Sequence, residues 1–189
     1  CYTANAHALA RYAALCQEHD IVPIVEPEVL MDGDHDLTRS FEVTQHAQQT
    51  VFAALADQAV DLRGIVLKPS MVISGAGAAD RAGIKEVAQQ TLRCLLSTVP
   101  AAVPGIAFLS GGQSDEEATQ HLNTMNEIGG SLPWAVTFSY GRALQAAAMK
   151  RWAGHSDNVE SARQVAFHRA QMNGAAALGQ YSSEMEKAA

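Results

Sequence analysis

The sequence predicts an α/β fold in which four strand–loop–helix units supply the C-terminal strands, about five to eight, of a (β/α)8 barrel. Three observations carry this. Short apolar runs recur about 30–40 residues apart, starting near Ile21, Gly64, Gly105 and Trp134. A helical pattern follows each run, which is the signature of parallel strands joined by crossover helices. Each run also ends in polar residues that differ from strand to strand: Glu26 and Glu28, then Lys68, then Ser110-Gly111-Gly112, then Ser139-Tyr140-Gly141-Arg142. Barrels assemble their sites in this way, from the C-terminal ends of several strands. The competing architecture is a small open doubly wound sheet.

Taken in order, residues 3–19 read as a helix with Leu9, Tyr12, Ala13 and Cys16 on one face. Ile21-Val22-Pro23-Ile24-Val25 is a strand ending at the two glutamates, and Asp32-Gly33-Asp34-His35-Asp36 is a turn. A helix over 38–58 carries Phe41, Val51, Phe52 and Leu55. Gly64-Ile65-Val66-Leu67 is a continuous apolar run and reads as a strand buried on both faces. Pro69 ends it, having no N–H for the ladder. Ser74-Gly75-Ala76-Gly77 is a flexible loop, and 83–98 is an amphipathic helix with Ile84, Val87, Ala88, Thr91, Leu92, Leu95 and Leu96. After the strand Gly105–Leu109, Ser114 and Glu117 form a capping box that starts a helix running to about 125. The strand Trp134–Phe138 precedes a helix with Leu144, Ala148 and Trp152, and a last helix covers about 158–178. The whole chain, 1–189, is thus the C-terminal half of one barrel domain, with a tail frayed from about residue 180. The absence of an initiator Met and the helix at the very start suggest a fragment.

Composition narrows the class. The chain has 189 residues, 48% hydrophobic and 17% charged, enough for a real core and unlike a disordered protein. A net charge of −7 argues against nucleic-acid or acidic-membrane partners but not against small anions. Cys1, Cys16 and Cys94 lack metal-like spacing and read as reduced thiols of a cytoplasmic protein. No run is long enough to span a membrane.

Lys68 places an ammonium at the end of a buried strand, which is costly unless the charge is paired or lost. Imine chemistry uses a desolvated amine, because only the neutral form attacks a carbonyl. A lone lysine in this position is nevertheless more often one that snorkels out of the sheet. Glu26 and Glu28, two apart, share a strand face, so one could pair with the ammonium while the other moves protons. Read alone they are as readily solvated acids. Ser110-Gly111-Gly112 before a helix start suits an anion, since backbone N–H groups and the helix dipole both favour it, although Gly-Gly after a strand is commonly just a turn. Gly141 and Arg142, beside Ser139, repeat the theme with a guanidinium that can grip phosphate, or that simply begins an exposed helix. The Asp32–Asp36 cluster lacks a cation-loop spacing and reads as a solvated turn, so no metal site is assigned. His46, His121 and His168 read as surface residues.

These motifs resemble class I fructose-1,6-bisphosphate aldolase. The resemblance rests on Ile24-Val25-Glu26-Pro27-Glu28, Asp32-Gly33-Asp34-His35-Asp36, Leu67-Lys68-Pro69-Ser70-Met71-Val72, Phe108-Leu109-Ser110-Gly111-Gly112-Gln113-Ser114 and the stretch Thr137–Gln145, in order over about residues 3–181. It implies a metal-independent lyase of glycolysis and gluconeogenesis, a cytoplasmic homotetramer with no cofactor beyond a Schiff base on the protein. Its substrate is fructose 1,6-bisphosphate, cleaved reversibly to dihydroxyacetone phosphate and glyceraldehyde 3-phosphate. By resemblance, Lys68 is the Schiff-base lysine, Glu26 the proton-transfer carboxylate and Glu28 the acid that pairs with the lysine network. Ser110, Gly111, Gly141 and Arg142, with Ser139 alongside, match the C1-phosphate pocket. The resemblance covers only the C-terminal half of the family's sequence. An aspartate, two lysines and the C6-phosphate contacts of the N-terminal strands have no counterpart here, and Tyr181 matches a position ahead of the terminal tyrosine of eukaryotic members. Two other readings stay open: another lysine-dependent sugar-phosphate aldolase, or a non-catalytic half-barrel binding module.

Overall fold

In the computed structural model, which describes residues 1–188, four short strands form one parallel sheet in the sequential order β1-β2-β3-β4. They are β1 (Ile24–Val25), β2 (Val66–Leu67), β3 (Gly105–Phe108) and β4 (Ala135–Phe138). The helices are α1 (Tyr2–Glu18), α2 (Leu37–Asp57), α3 (Ile84–Thr98), α4 (Asp115–Ile128), α5 (Arg142–Trp152) and α6 (Val159–Ala177). Right-handed crossovers between strands in sequential order put all the connecting helices on one face. Consecutive helices accordingly pack side by side, α1 on α2, α2 on α3 and α3 on α4. This is half of a (β/α)8 barrel, as the strand-end pattern predicts. The sheet is open at β1 and β4 among the described residues, and Ile21, Val22 and Ile24 beside the β1 edge are exposed.

The core lies between sheet and helices. Val25, Leu67, Ile106 and Phe108 from the strands are fully buried against Leu55, Val87, Leu95 and Leu122 from the helices. Several faces differ from expectation. The buried side of α1 is Ala6, Ala10 and Ala13, while Tyr12 is 44% exposed, because small residues let α1 lie close on α2. Leu96 and Trp152 also point outward. The apolar run at Gly64 gives a shorter strand than expected, since Leu62–Gly64 is a 3-10 turn capped by Asp61, whose Oδ1 accepts from Arg63 N at 3.0 Å. The Ser114–Glu117 capping box is present, and α4 runs to Ile128 rather than to about 125. All three cysteines are unpaired.

The tail expected to fray from about 180 is instead folded down. Ser183–Ala188 is a 3-10 turn, and only Ala189 lies outside the described residues. Arg169, 5% exposed on α6, donates from Nη1 to Glu186 Oε1 at 2.6 Å and from Nη2 to Thr119 Oγ1 at 2.6 Å. His168 Nε2 meets the other Glu186 oxygen at 2.8 Å, and Tyr181 OH donates to Oε1 at 3.0 Å. His168 is therefore not a free surface histidine, and His121 is wholly buried, whereas His46 is exposed as expected. Burial raises the Glu186 carboxyl, but hydrogen bonds from Arg169 and His168 and the guanidinium charge outweigh it, leaving the group below its usual value of 4.5.

A carboxyl with a depressed folded value stabilises above its unfolded value, and that contribution disappears as pH falls through the folded one. Replacing Glu186 by Gln is therefore expected to cost about 3 kcal/mol at neutral pH, because Arg169 loses its buried partner. Chemical denaturation of parent and variant between pH 7 and pH 3 checks this. The gap should close on the acid side, and a gap independent of pH would exclude the ion pair as its source.

Candidate active site

The parallel register brings the strand ends to one rim. Val25 pairs with Leu67 and Leu67 with Ile106, and Phe108 pairs with Phe138. Three hydrogen bonds carry the ladder past the strands: Lys68 N to Val25 O at 2.8 Å, Leu109 N to Pro69 O at 3.2 Å, and Ser139 N to Phe108 O at 2.8 Å. Pro69 faces β3, where it donates nothing but still accepts, so the ladder loses one rung there without losing the contact. Lys68 thereby stands beside Glu26, with Nζ 2.9 Å from Oε1 and side-chain exposures of 22% and 40%. The lysine is paired at the rim and does not snorkel free of the sheet.

Glu26 and Glu28 do not share a strand face. β1 stops at Val25, and the backbone turns at once, Glu28 N donating to Glu26 O at 3.0 Å across the intervening Pro27. The carboxylate that meets the lysine is that of Glu26. Glu28 makes no ion pair among the described residues and turns toward the glycine loop, where a Cβ built on Gly111 would lie 3.6 Å from its Oε1. The loop after β1 is tied to the lysine strand by Ser70, whose hydroxyl accepts from Val29 N at 3.0 Å and donates to Val29 O at 3.1 Å.

Ser74–Gly77, expected to be flexible, is pinned. Gly75 N, Ala76 N and Gly77 N donate to His35 O, Met31 O and Gly33 O, each at 2.8 Å. Gly75 is needed for this, since a Cβ there would sit 2.3 Å from Gly33 O. Asp36 is used as the cap of α2, accepting from Arg39 N at 2.7 Å. No group of three potential metal ligands is gathered among the described residues.

The glycines after β3 have a steric reason. Met31 lies over them, so a Cβ on Gly112 would come 2.8 Å from Met31 Cβ, and Gly112 has φ +75°. Ser110 and Gly111 are buried. The helix start beyond them is less open to an anion than the sequence implies, because Asp115, Glu116 and Glu117 fill the first turn of α4 and Glu117 caps it. The start of α5 differs. Its cap is Gly141, its first turn holds no acid, and exposed Arg142 forms no ion pair among the described residues. Of the four residues in that motif, Tyr140 faces the core, donating from its OH to Ala118 O at 2.8 Å. Burial raises its phenol, with the Arg169 charge acting weakly the other way.

Three contributors were not singled out from sequence: Met31 over the glycines, Ser70 bridging two loops, and Arg81. Arg81 Nη2 donates to Gly112 O at 3.0 Å and lies 3.4 Å from Glu117 Oε1. None sits in a periodic pattern, so only the folded loops reveal them.

Strand ends of one half-barrel that gather a carboxylate-paired amine and a glycine loop belong with the lysine-centred (β/α)8 barrels. The family model for fructose-bisphosphate aldolase class-I matches residues 1–189, and the chain belongs to that family. It is 56% identical over 182 residues to a probable fructose-bisphosphate aldolase class 1 of Xanthomonas campestris pv. campestris, covering 96% of this chain and 54% of that protein. It is 52% identical to a fructose-bisphosphate aldolase of Dictyostelium discoideum, covering 96% and 51%. Fructose-bisphosphate aldolase from Plasmodium falciparum, solved as a ternary co-crystal with TRAP and a small-molecule inhibitor, superposes with a TM-score of 0.94 at 47% identity, over 96% of this chain and 52% of that one. The chain thus spans about half the length of the relatives it matches.

Gly112→Ala is expected to lower stability by about 1–3 kcal/mol through backbone strain and overpacking against Met31. Adding Met31→Ala should recover the packing part only. Denaturation midpoints of the two variants test this, and a fully stable Gly112→Ala protein would show that the loop is not held as described.

Proposed function

We propose that the protein carrying this chain is a class I fructose-bisphosphate aldolase, a metal-independent lyase. It splits fructose 1,6-bisphosphate into dihydroxyacetone phosphate and glyceraldehyde 3-phosphate and runs the condensation in reverse. The observation that carries this is the Lys68–Glu26 pair, 2.9 Å apart on the rim, one strand from the Ser110–Gly111 loop.

The chemistry follows from that pair. Glu26 takes a proton from the ammonium, and neutral Lys68 Nζ adds to the C2 carbonyl of the ketose. The carbinolamine takes up a proton at its oxygen, supplied by Glu26, and loses water to give the iminium. Glu26, a carboxylate again after the dehydration, takes the C4 hydroxyl proton, and the C3–C4 bond breaks. Its electron pair passes into the iminium to form an enamine, and the aldehyde leaves. Protonation at C3 and hydrolysis release dihydroxyacetone phosphate and restore the amine. Glu28 supplies the second carboxylate from the side of the glycine loop. Ser110, Gly111, Ser139, Gly141 and Arg142 hold the C1 phosphate by backbone N–H groups, hydroxyls and a guanidinium.

The open β1 and β4 edges call for the remaining strands of a barrel, since unpaired edges invite association. We place the protein in the cytoplasm as a homotetramer acting on a small sugar phosphate, with no nucleic-acid or membrane partner. One relative, from Arabidopsis thaliana and 47% identical, is named as cytosolic. No helix among the described residues is long and apolar enough to cross a membrane.

Borohydride reduction in the presence of dihydroxyacetone phosphate should add mass at Lys68, and mass on any other residue would overturn the assignment. Glu26→Gln should reduce kcat by about 10²–10⁴-fold while the protein stays folded. A substrate comparison of fructose 1,6-bisphosphate with fructose 1-phosphate separates this aldolase from another lysine-dependent one.

A further inference from the structure

We propose that Arg81 is a positioning residue of the anion pocket, holding the glycine loop so that its N–H groups face the rim. The inference rests on the reading of Ser110–Gly111 as a phosphate site. Arg81 leaves the loop between β2 and α3, the one that starts from Lys68, and reaches across to the loop after β3. Its Nη2 binds the carbonyl of Gly112 at 3.0 Å. Gly112 has φ +75°, a conformation in which neighbouring peptide N–H and C=O groups point to opposite sides. Fixing this carbonyl therefore fixes the orientation of the adjoining peptide N–H groups.

The clamp is itself braced. Glu117 lies 3.4 Å from Arg81 through Oε1 and accepts from Ser114 N at 3.2 Å through Oε2, so one carboxylate both caps α4 and orients the guanidinium. Ser74 Oγ accepts from Ala82 N at 3.1 Å and secures the backbone beside Arg81. From the core side His121 Nδ1 donates to Gln113 Oε1 at 2.7 Å. Burial pushes the His121 imidazole down to about 4, with the Arg81 cation adding to the effect, so it stays neutral and packs as a strut. The loop is thus held at Gly112 by Arg81 and at Gln113 by His121, and its rigidity serves whatever the N–H groups bind.

The test compares two imine-forming ligands on the full-length protein: dihydroxyacetone phosphate and dihydroxyacetone, which lacks the phosphate. Arg81→Ala should weaken trapping of the phosphate ester about tenfold and raise its KM similarly, with dihydroxyacetone trapping and kcat little changed. Arg81→Lys, which keeps one donor for the Gly112 carbonyl, should restore part of the affinity. Equal losses for both ligands would show a general structural role and overturn the proposal, as would an unchanged affinity for the phosphate ester. Ser110→Ala is the companion variant. If it weakens phosphate selectivity and Arg81→Ala does not, the clamp alone fails. If Ser110→Ala has no effect on selectivity either, the phosphate site is wrong and the clamp falls with it.

Discussion

The hydrogen bond from Lys68 N to Val25 O, 2.8 Å long, fixes the site more than any side-chain contact does. It is the last rung between β1 and β2, and it sets Lys68 one step past Leu67 as Glu26 is one step past Val25. In a parallel pair that offset places the two side chains at the same level of the rim. The 2.9 Å ion pair is a consequence of backbone register, not of two long side chains searching for each other. Pro69 faces β3 and offers no donor there, but its carbonyl still engages Leu109 and carries the rim on to β3.

Beyond the strands, the rim is held by loops bound to loops. The segment after β1 is fastened to the segment after β2 by Ser70 and by the three bonds from Gly75, Ala76 and Gly77. The segment after β2 is fastened to that after β3 by Arg81, and Met31 lies across all of them. Backbone carbonyls and amides in such loops must find partners if they are to leave water. Here they find them in neighbouring loops, which turns three connections into one platform. Side chains carried on such a platform are held in a fixed relation to one another, as the chemistry proposed above requires.

The residues bearing charge or glycine at strand ends were legible in the sequence because each sits where an apolar run stops. The division of labour between Glu26 and Glu28 was not. Spacing of two implies one face only if the strand continues, and Pro27 with the Glu28-to-Glu26 turn takes the chain out of the strand. His121 and Arg169 were opaque for another reason. A buried polar residue looks like a surface one unless its partners are known, and theirs are Gln113 in one case and Thr119 and Glu186, 50 and 17 residues away, in the other. The same Arg169–Glu186 contact is why the tail is folded where composition suggested fraying. Propensity has no knowledge of a partner 17 residues back.

Charge at the rim shows how a chain with a net charge of −7 can still present a local positive group. Scattered surface carboxylates act through water and are screened beyond about 8 Å at physiological salt. Local pairing then decides. Lys68 is matched by Glu26, Arg81 by Glu117, and the acids of α4 satisfy that helix's own dipole. At the rim, Arg142 begins the acid-free first turn of α5 with no ion pair among the described residues, and beside it the Arg142 and Ala143 N–H groups precede the first bonds of the helix, from Leu144 N and Gln145 N to Gly141 O. On the proposed function, a phosphate held there would present its carbon chain to the amine two strands away.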